Sequence, residues 1–339
     1  MKQRSGTGSS EGKFPAILLA AVGMLAACTT VETPQALPLA EAIESQVEGV
    51  RLGVMVATLS GEVIETDRAR ERFIPASNTK LFTTAAAFHL MPGIDLPDPA
   101  LGTTLLLLPG EGDAPPSLVL RGAGDPMLQD RPDCQTDCLH QLADAVVAQG
   151  ITRIGDVYGD ATLFPYEPYG MGWSWNNLPF YFGAPVSALT LNGNALTLTV
   201  SPGAAEGDPV LAEWAPGDDL QGLVVDALTG PPGSDNELSI LRWPGADEVR
   251  LSGTIPLGAA PRKYYVSVRE PAGIAARRFV RLIEARGVSV EGEVKIRTRK
   301  EGGDLPEGLE EIARLEAPSL IDSLRIISED SDNLAAEIV

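Results

Sequence analysis

A serine and a lysine stand three residues apart in the tetrad Ser77-Asn78-Thr79-Lys80, where a Pro-Ala turn leads into a helical stretch. Side chains three residues apart on a helix lie on one face. The N-terminus of a helix also offers free N–H groups and a positive potential to a developing oxyanion. A lysine in a partly desolvated pocket has a lowered pKa and can take the proton of a neighbouring hydroxyl. The tetrad therefore indicates nucleophilic chemistry, and the alternative is an N-capping serine beside a solvated lysine.

A second element, Ser331-Asp332-Asn333, precedes an apolar helical run at residues 334–339. Its hydroxyl can relay a proton to a leaving group, and its amide can hold Lys80 and a substrate carbonyl. Ser-x-x-Lys and Ser-Asp-Asn occur together, with Lys-Thr-Gly, in penicillin-binding proteins and class A β-lactamases. A further Ser-x-x-Lys lies at residues 10–13, in the N-terminal leader, and Ser234-Asp235-Asn236 lies in a Pro-Gly turn with no helix to fix it. We therefore set both of these matches aside.

The elements that must position these motifs mix helices and strands. The 35 Gly and 27 Pro favour a loop- and strand-rich chain over a helical bundle, and 339 residues predict two or three folding units. The hydrophobic pattern predicts, in chain order, a short helix over 39–47, a hairpin over 52–66, a helix over 77–90, strands over 103–108 and 118–121, a helix over 138–149, a strand over 151–159, mostly strands over 183–270, a helix over 271–286, a strand over 288–297 and a helical region over 318–339, interrupted near 329–331.

Composition excludes two classes of protein. Hydrophobic residues make up 44% of the chain and charged residues 21%, which excludes wholesale disorder. The formal net charge of −20 repels phosphate backbones, so we expect no nucleic-acid partner.

The N-terminus has the pattern of an export signal. Lys2, Arg4 and Lys13 precede a short apolar run, and small residues then lead to Cys28. Cys28 follows Leu-Ala-Ala, as the lipidated cysteine does in a bacterial lipobox, and the alternative is a plain signal peptide with a chance cysteine. We predict a lipoprotein signal peptide over 1–27, lipidation of Cys28, and a tether over 28–38.

The other two cysteines, Cys134 and Cys138, lie close together in the sequence. An oxidising compartment favours a disulfide between them. A zinc site is disfavoured because His89 and His140 are the chain's two histidines, and two free thiols at a helix start are the remaining alternative.

Taken together, the chain from about residue 40 to 339 closely resembles the D-alanyl-D-alanine carboxypeptidase/endopeptidase family, the class C low-molecular-mass penicillin-binding proteins. The wide gap between the two serine motifs is part of the resemblance. Further matching stretches are Arg121-Gly122-Ala123-Gly124-Asp125-Pro126, Gly155-Asp156-Val157-Tyr158-Gly159-Asp160, Gly183-Ala184-Pro185-Val186-Ser187-Ala188-Leu189, Leu251-Ser252-Gly253-Thr254-Ile255-Pro256 and Ala317-Pro318-Ser319-Leu320.

The resemblance implies an α+β fold, with a serine transpeptidase/β-lactamase-like domain and large β-rich inserted domains between the two motifs. The catalytic domain would comprise residues 39–93 and 271–339, and the inserted domains residues 94–270. Ser77 would be the nucleophile, Lys80 its general base, and Ser331 and Asn333 the second motif.

The implied substrates are the stem peptides of peptidoglycan, with β-lactams as inhibitors and no cofactor or metal. The implied location is the periplasm, where lipidated Cys28 would join the protein to the outer membrane in preference to the inner one.

Two features depart from the family pattern. Trp173-Ser174-Trp175-Asn176-Asn177 resembles a segment that in some members ends in an acid and lines the pocket for the amine of the stem peptide. Trp175 and Asn177 are therefore candidate substrate-binding residues, although Asn177 carries no charge and Trp173 and Trp175 could be packing residues.

The second departure is that no Lys-Thr-Gly occurs in the 339 residues. We expect the chain to be the N-terminal portion of a longer enzyme, cut before that motif. The rival interpretation is a non-catalytic, lipid-anchored wall-binding or scaffold protein. An esterase or β-lactamase relative is disfavoured by the large insertion.

Overall fold

The computed structural model describes residues 39–47, 49–97, 99–300 and 309–339. It forms two compact units, the first ending at Ile74 and the second spanning Pro75–Val339. Within the described ranges, none of the helices combines the length and the apolar character needed to cross a bilayer. The predicted signal peptide, Cys28 and the predicted tether lie outside the described residues.

The helices and strands of both units are numbered in chain order. The helices are α1 (Leu39–Glu44), α2 (Lys80–Leu90), α3 (Leu139–Ala148), α4 (Pro271–Glu284), α5 (Leu320–Glu329) and α6 (Asn333–Ile338). The strands are β1 (Val54–Ala57), β2 (Val63–Asp67), β3 (Thr104–Leu108), β4 (Ser117–Arg121), β5 (Arg153–Ile154), β6 (Val157–Asp160), β7 (Ala195–Ser201), β8 (Leu211–Trp214), β9 (Leu223–Val225), β10 (Leu228–Gly230), β11 (Ser239–Leu241), β12 (Val249–Ser252), β13 (Thr254–Pro256), β14 (Arg262–Ser267), β15 (Ser289–Val290), β16 (Val294–Arg297) and β17 (Glu310–Arg314).

The first unit contains helix α1 and the antiparallel hairpin β1–β2. The hairpin predicted over 52–66 is confirmed, and its turn passes through Gly61, whose φ of +90° favours glycine. Arg68, at the end of β2, donates to both carboxylate oxygens of Glu44 in α1. This bidentate pair fixes the helix to the hairpin.

The second unit is built on a five-stranded sheet in the order β16-β6-β4-β3-β17. Strands β4, β6 and β16 run parallel to one another, whereas β3 is antiparallel to β4 and β17 is antiparallel to β3. Helices α3 and α4 pack with this sheet through one large hydrophobic core. Its fully buried side chains include Leu105, Leu118, Leu120, Leu139, Leu142, Ile154 and Phe279.

Helix α4 begins where the sequence signals predict. The Glu270 side chain accepts from the N–H of Gly273, and Pro271 occupies the first helical position. The helix lies so close to β6 that a Cβ added to Gly159 would stand 2.3 Å from the carbonyl oxygen of Ala272. Glycine is therefore required at position 159 for the helix and the strand to meet.

The packing of α4 bears on the predicted division into domains. The helix shares its core with side chains from residues 105–161, a region assigned from the sequence to the inserted domains. A catalytic segment that starts at residue 271 would cut through this core. The packing favours a later boundary, and the domain division stays a proposal.

Two predicted strands are each divided in two. The strand expected over 151–159 is β5 and β6, and the strand expected over 288–297 is β15 and β16. The breaks lie opposite each other, where Gly292 donates to the carbonyl of Gly155 at 3.2 Å. A Cβ on Gly292 would meet the Gly155 carbonyl carbon at 2.6 Å, so this close backbone contact interrupts both strands.

A β-rich region over residues 195–267 has its own core, as predicted for the block between the helical parts. It contains the three-stranded sheets β14-β7-β8 and β11-β12-β9 and the pair β10-β13. Its fully buried side chains include Leu198, Val200, Leu251, Ile255 and Val266.

Helices α2, α5 and α6 form a smaller cluster. Buried side chains from all three helices make up its centre, namely Ala87, Leu324, Ile327 and Ala335. This cluster brings the start of α2 and the start of α6 together, although they are far apart in the sequence. With helices and sheets in one chain, the predicted α+β class is confirmed.

Candidate active site

The first motif lies where a short 3₁₀ turn continues into a helix. Residues Ala76–Thr79 form the turn and α2 follows directly at Lys80. Ala76 has a φ of +46°, in the left-handed region that is strained for a residue with a side chain. The turn places Ser77 Oγ 3.4 Å from Lys80 Nζ, so the two side chains share one face as the spacing predicts.

The second motif lies in the connection between α5 and α6. Ser331 has a φ of +57°, which turns the chain sharply after α5. The Asp332 side chain then caps α6 by accepting from the N–H of Ala335 at 2.7 Å. Asn333 is the first residue of α6, so its side chain is held at the start of a capped helix.

The Lys80 amine joins the two motifs. It donates to the carbonyl oxygen of Ser331 at 2.8 Å and to Ser331 Oγ at 3.1 Å, and also to Asn333 Oδ1. With Ser77 Oγ, four oxygens surround a group that has three N–H donors when charged. Ser77, Lys80, Ser331 and Asn333, the four residues predicted to carry the chemistry, are therefore brought together.

The surroundings of Lys80 tune its proton affinity. Burial lowers the pKa of Lys80 from its ordinary value, and the negative charges of Asp332 and Glu337 partly oppose that shift. A lowered pKa increases the neutral fraction of the amine near neutral pH, and a neutral amine can accept a proton from Ser77.

A cavity of about 320 Å³ opens beside Ser77 and Lys80. The other residues that line it come from the 3₁₀ turn, from α2, from α6 and from the loop that contains Trp173. They are Ala76, Thr79, Thr83, Trp173, Asn333, Ala336 and Glu337. A substrate held here would meet a serine hydroxyl, an amine and a carboxylate within one recess.

Of these further lining residues only Asn333 was predicted as part of the site, and two of the others, Glu337 and Trp173, have side chains that could contact a substrate. Glu337 follows Asn333 by one helical turn, so the spacing could have placed it on the same face. Trp173 belongs to the segment that resembles a pocket-lining stretch of the family, and no local signal favours it over Trp175 as the substrate-binding residue.

Trp175 and Asn177 are placed outside the set that lines this cavity. Trp175 stacks on Trp243, with ring centroids 5.5 Å apart. The backbone of Asn177 forms turns, donating to Ser174 and accepting from Phe180. Their assignment to substrate binding stays a prediction.

Cys134 and Cys138 are joined by a disulfide that closes the loop before α3. Within the described parts of the chain, no group of three or more His, Cys, Asp or Glu side chains could hold a metal ion. The discarded Ser-Asp-Asn match has local partners, since Ser234 Oγ donates to the carbonyl of Pro231 and the Asn236 amide to the Tyr264 hydroxyl.

A Ser-x-x-Lys pair opposed by a serine and an asparagine, on an α+β scaffold, defines the class of active-site-serine enzymes that includes penicillin-binding proteins. Within that class, the chain belongs to the D-Ala-D-Ala carboxypeptidase 3 (S13) family, whose family model matches residues 37–339. The resemblance noted from the motifs is confirmed.

Two curated relatives agree with this assignment. The D-alanyl-D-alanine carboxypeptidase of Actinomadura sp. is 34% identical over 262 residues, which is 75% of this chain and 46% of that protein. The D-alanyl-D-alanine carboxypeptidase DacB of Haemophilus influenzae is 25% identical over 299 residues, which is 86% of this chain and 58% of that protein. The chain thus spans about half the length of the curated relatives it matches.

Solved structures share the fold. The crystal structure of penicillin binding protein 4 (DacB) from Haemophilus influenzae matches with a TM-score of 0.74 at 21% identity, covering 88% of this chain and 64% of that one. The same protein complexed with a novel β-lactam matches with a TM-score of 0.66 at 19% identity, over 88% and 62%. The predicted penicillin-binding fold is confirmed.

Proposed function

We propose that this chain carries the nucleophile of a serine-type D-Ala-D-Ala carboxypeptidase and endopeptidase acting on the stem peptides of peptidoglycan. The observation that carries the proposal is the position of the Lys80 amine, 3.4 Å from Ser77 Oγ and 3.1 Å from Ser331 Oγ. Membership of the family, and relatives named D-alanyl-D-alanine carboxypeptidase, support the same activity.

The proposed reaction proceeds in two acyl-transfer steps. Ser77 Oγ attacks the carbonyl carbon of the penultimate D-Ala, and its proton passes to the neutral Lys80 amine. The C–N bond then breaks, and the amine of the terminal D-Ala leaves with a proton relayed from Lys80 through the Ser331 hydroxyl. Water next attacks the ester carbonyl on Ser77 and transfers a proton to Lys80. The bond between the carbonyl carbon and Ser77 Oγ then breaks, Lys80 returns the proton to Ser77 Oγ, and the shortened stem peptide leaves. When the leaving amine belongs to a neighbouring stem, the same steps cleave a cross-link.

Penicillin labelling tests the nucleophile. A β-lactam has a strained amide that Ser77 would open to form a stable ester, so the full-length protein should be labelled by a fluorescent penicillin. Ser77→Ala should abolish labelling, whereas Ser234→Ala, in the discarded Ser-Asp-Asn match, should leave it unchanged. Labelling that persists in Ser77→Ala would overturn the assignment.

The rival interpretation, a scaffold without chemistry, is less well supported. A scaffold has no need for a partly buried lysine whose amine contacts four oxygens, because removing an amine from water costs solvation free energy. A folded full-length protein that binds cell wall but neither reacts with penicillin nor releases D-Ala would favour the scaffold.

The proposed location is the periplasm, with the protein lipid-anchored to the outer membrane through Cys28. The support is the basic, apolar and small-residue order of the N-terminal sequence, which ends at that cysteine. Incorporation of a labelled fatty acid should be lost in Cys28→Ala. Equal incorporation in the two proteins would exclude lipidation at this residue.

A further inference from the structure

Among the exposed aromatic side chains of the second unit, four come from segments that meet in the β-rich region and pair ring to ring. Their exposed fractions are 45% for Trp175, 55% for Tyr181, 58% for Trp243 and 50% for Tyr265. We call these four residues the aromatic strip. Aromatic side chains contribute most to the stability of a fold when they are buried. Several exposed rings from neighbouring segments therefore indicate a binding surface.

The rings of the strip are arranged in two pairs. Trp175 and Trp243 stack with centroids 5.5 Å apart and planes inclined by 14°, so the pair presents flat indole surfaces. Tyr181 and Tyr265 meet edge to face, with centroids 6.1 Å apart. In β14, Tyr264 packs towards the core of the β-rich region while Tyr265 faces outwards, as strand alternation requires.

A buried arginine holds the backbone of the strip in place. Arg242, which precedes Trp243, is 6% exposed, and its guanidinium donates to the carbonyl oxygens of Leu178 and Ser267 at 3.0 and 2.6 Å. It thereby ties together the three segments that carry the strip's rings. Rings that are already ordered lose little conformational entropy when a ligand binds.

The strip continues into the candidate active site through residues 173–182. Trp173, at one end of this segment, lines the cavity beside Ser77. At the other end, the carbonyl oxygen of Phe182 accepts from the Asn333 side-chain amide at 2.7 Å. Trp175 and Tyr181 lie between these two contacts in the sequence, so the segment that carries two rings of the strip also borders the cavity.

From this continuity we infer that the aromatic strip binds the glycan strand of peptidoglycan. A pyranose ring has an apolar face of C–H groups that fits flat on an aromatic ring, while its hydroxyl and acetamido groups remain in water. An extended stem peptide spans about 3.3 Å per residue. When the far end of the stem peptide is at Ser77, the sugar to which the stem is attached therefore lies outside the cavity, at a distance of several extended residues.

The charge of the protein favours this ligand over other wall polymers. A net charge of −20 repels chains of phosphates. In peptidoglycan, the acidic groups of the glycan are joined to the stem peptides through amide bonds, so the glycan chain itself is uncharged and is not repelled. The inference rests on the proposed function because it takes peptidoglycan as the substrate.

The test is binding of uncharged, peptide-free glycan, in the form of β-1,4-linked N-acetylglucosamine oligosaccharides, to the full-length protein. Binding can be followed by calorimetry and by the change in tryptophan fluorescence. Trp243→Ala should weaken binding by about tenfold, which is 1.4 kcal/mol, and Trp243→Phe should restore part of it because the flat ring is retained. Leu211→Ala removes a side chain that is 61% exposed on the edge strand β8 of the sheet that carries Tyr265, and should leave binding unchanged.

Penicillin labelling of each variant separates the outcomes. Labelling in Trp243→Ala shows that the fold and Ser77 are intact, so that loss of glycan binding reports on the strip. If the labelled wild-type protein binds no peptide-free glycan, or if Trp243→Ala binds it as tightly as the wild type, the inference is overturned and the proposed function stands. Glycan binding that depends on Trp243 without labelling of Ser77 would instead overturn the proposed function and support the strip.

Discussion

In the proposed mechanism, Lys80 sets the pH range in which Ser77 can react. Its amine must be neutral to take the proton, so the rate of acylation should rise with pH as Lys80 loses its own proton. Burial lowers the pKa of Lys80, and the carboxylates of Asp332 and Glu337 raise it. Removing one of these carboxylates therefore lowers the pKa further and increases the neutral fraction at a given pH.

Glu337→Gln should move the acidic limb of the rate profile to lower pH. Glu337 is exposed, so the expected displacement is small. The measurement is the rate of penicillin acylation between pH 5 and 9. Glu329→Gln, an exposed acid at the end of α5, is the matched control and should not move the limb. A displacement to higher pH in Glu337→Gln would show that the carboxylate acts on another group.

At the scale of the element, the short helix α6 and the turn before it supply three of the four oxygens that Lys80 contacts, from Ser331 and Asn333. Helix α6 has six residues, too few to be stable alone, and its start is fixed by the Asp332 cap. Its buried side chains Leu334 and Ala335 add the packing that keeps it in place. The position of Asn333 therefore depends on the cap as well as on the core.

Asp332→Ala should lower the free energy of unfolding by about 1 kcal/mol, as expected for loss of an N-cap. It should also slow acylation, because Asn333 and Ser331 are then less well ordered around Lys80. Asp332→Asn keeps a capping oxygen and is the control. Its free energy of unfolding should be close to that of the wild type. Thermal unfolding and acylation rates measure the two effects. Equal rates in the alanine and asparagine variants would mean that the cap does not order the site.

Elements with strong local signals were the predictable ones. The helix beginning at Pro271 and the hairpin before Asp67 follow from the alternation of polar and apolar residues and from turn chemistry. The division of the strands at Gly155 and Gly292 could not be predicted, because it arises where two distant backbones touch. The alternation of polar and apolar residues in one strand carries no information about which distant segment packs against it.

The candidate site shows the same limit. Ser77 with Lys80 and Ser331 with Asn333 were predictable, since each pair is a local motif, and the motifs together implied that they meet. Trp243 joins the surface only through the fold, which brings it against Trp175 from a different segment. Such long-range pairs have no spacing that a sequence pattern could reveal.

At the scale of the whole molecule, a buried carboxyl pair makes stability depend on pH. Asp125 and Asp137 are each 4% exposed; burial raises the pKa of Asp125, and its hydrogen bond with Asp137 partly opposes that shift. Burial, followed by the hydrogen bond to Asp125 and its charge, raises the pKa of Asp137 to about 9. A neutral Asp137 donates to the Asp125 carboxylate, which also accepts from the N–H of Met127 at 2.8 Å. This pair fastens the disulfide loop to the segment that follows β4.

The sign of the pH dependence follows from the raised pKa. Between about pH 4 and pH 9 the folded protein keeps a proton on Asp137 that the unfolded chain releases. Raising the pH through this window therefore favours unfolding, with a slope of up to about 1.4 kcal/mol per pH unit from this group. The contribution is most favourable below the unfolded pKa and is lost as the pH rises towards 9.

Asp137→Asn should remove this slope and raise the free energy of unfolding at pH 8 by roughly 1–3 kcal/mol. The amide still donates to Asp125, and asparagine tolerates the φ of +54° at this position. Urea unfolding between pH 5 and 8.5 measures the effect. Asp133 is exposed and directly precedes the disulfide loop; Asp133→Asn removes the same charge from a chain of net charge −20 and controls for general repulsion. If the free energy of unfolding rises equally in both variants, the pH dependence arises from the overall charge and not from the buried pair.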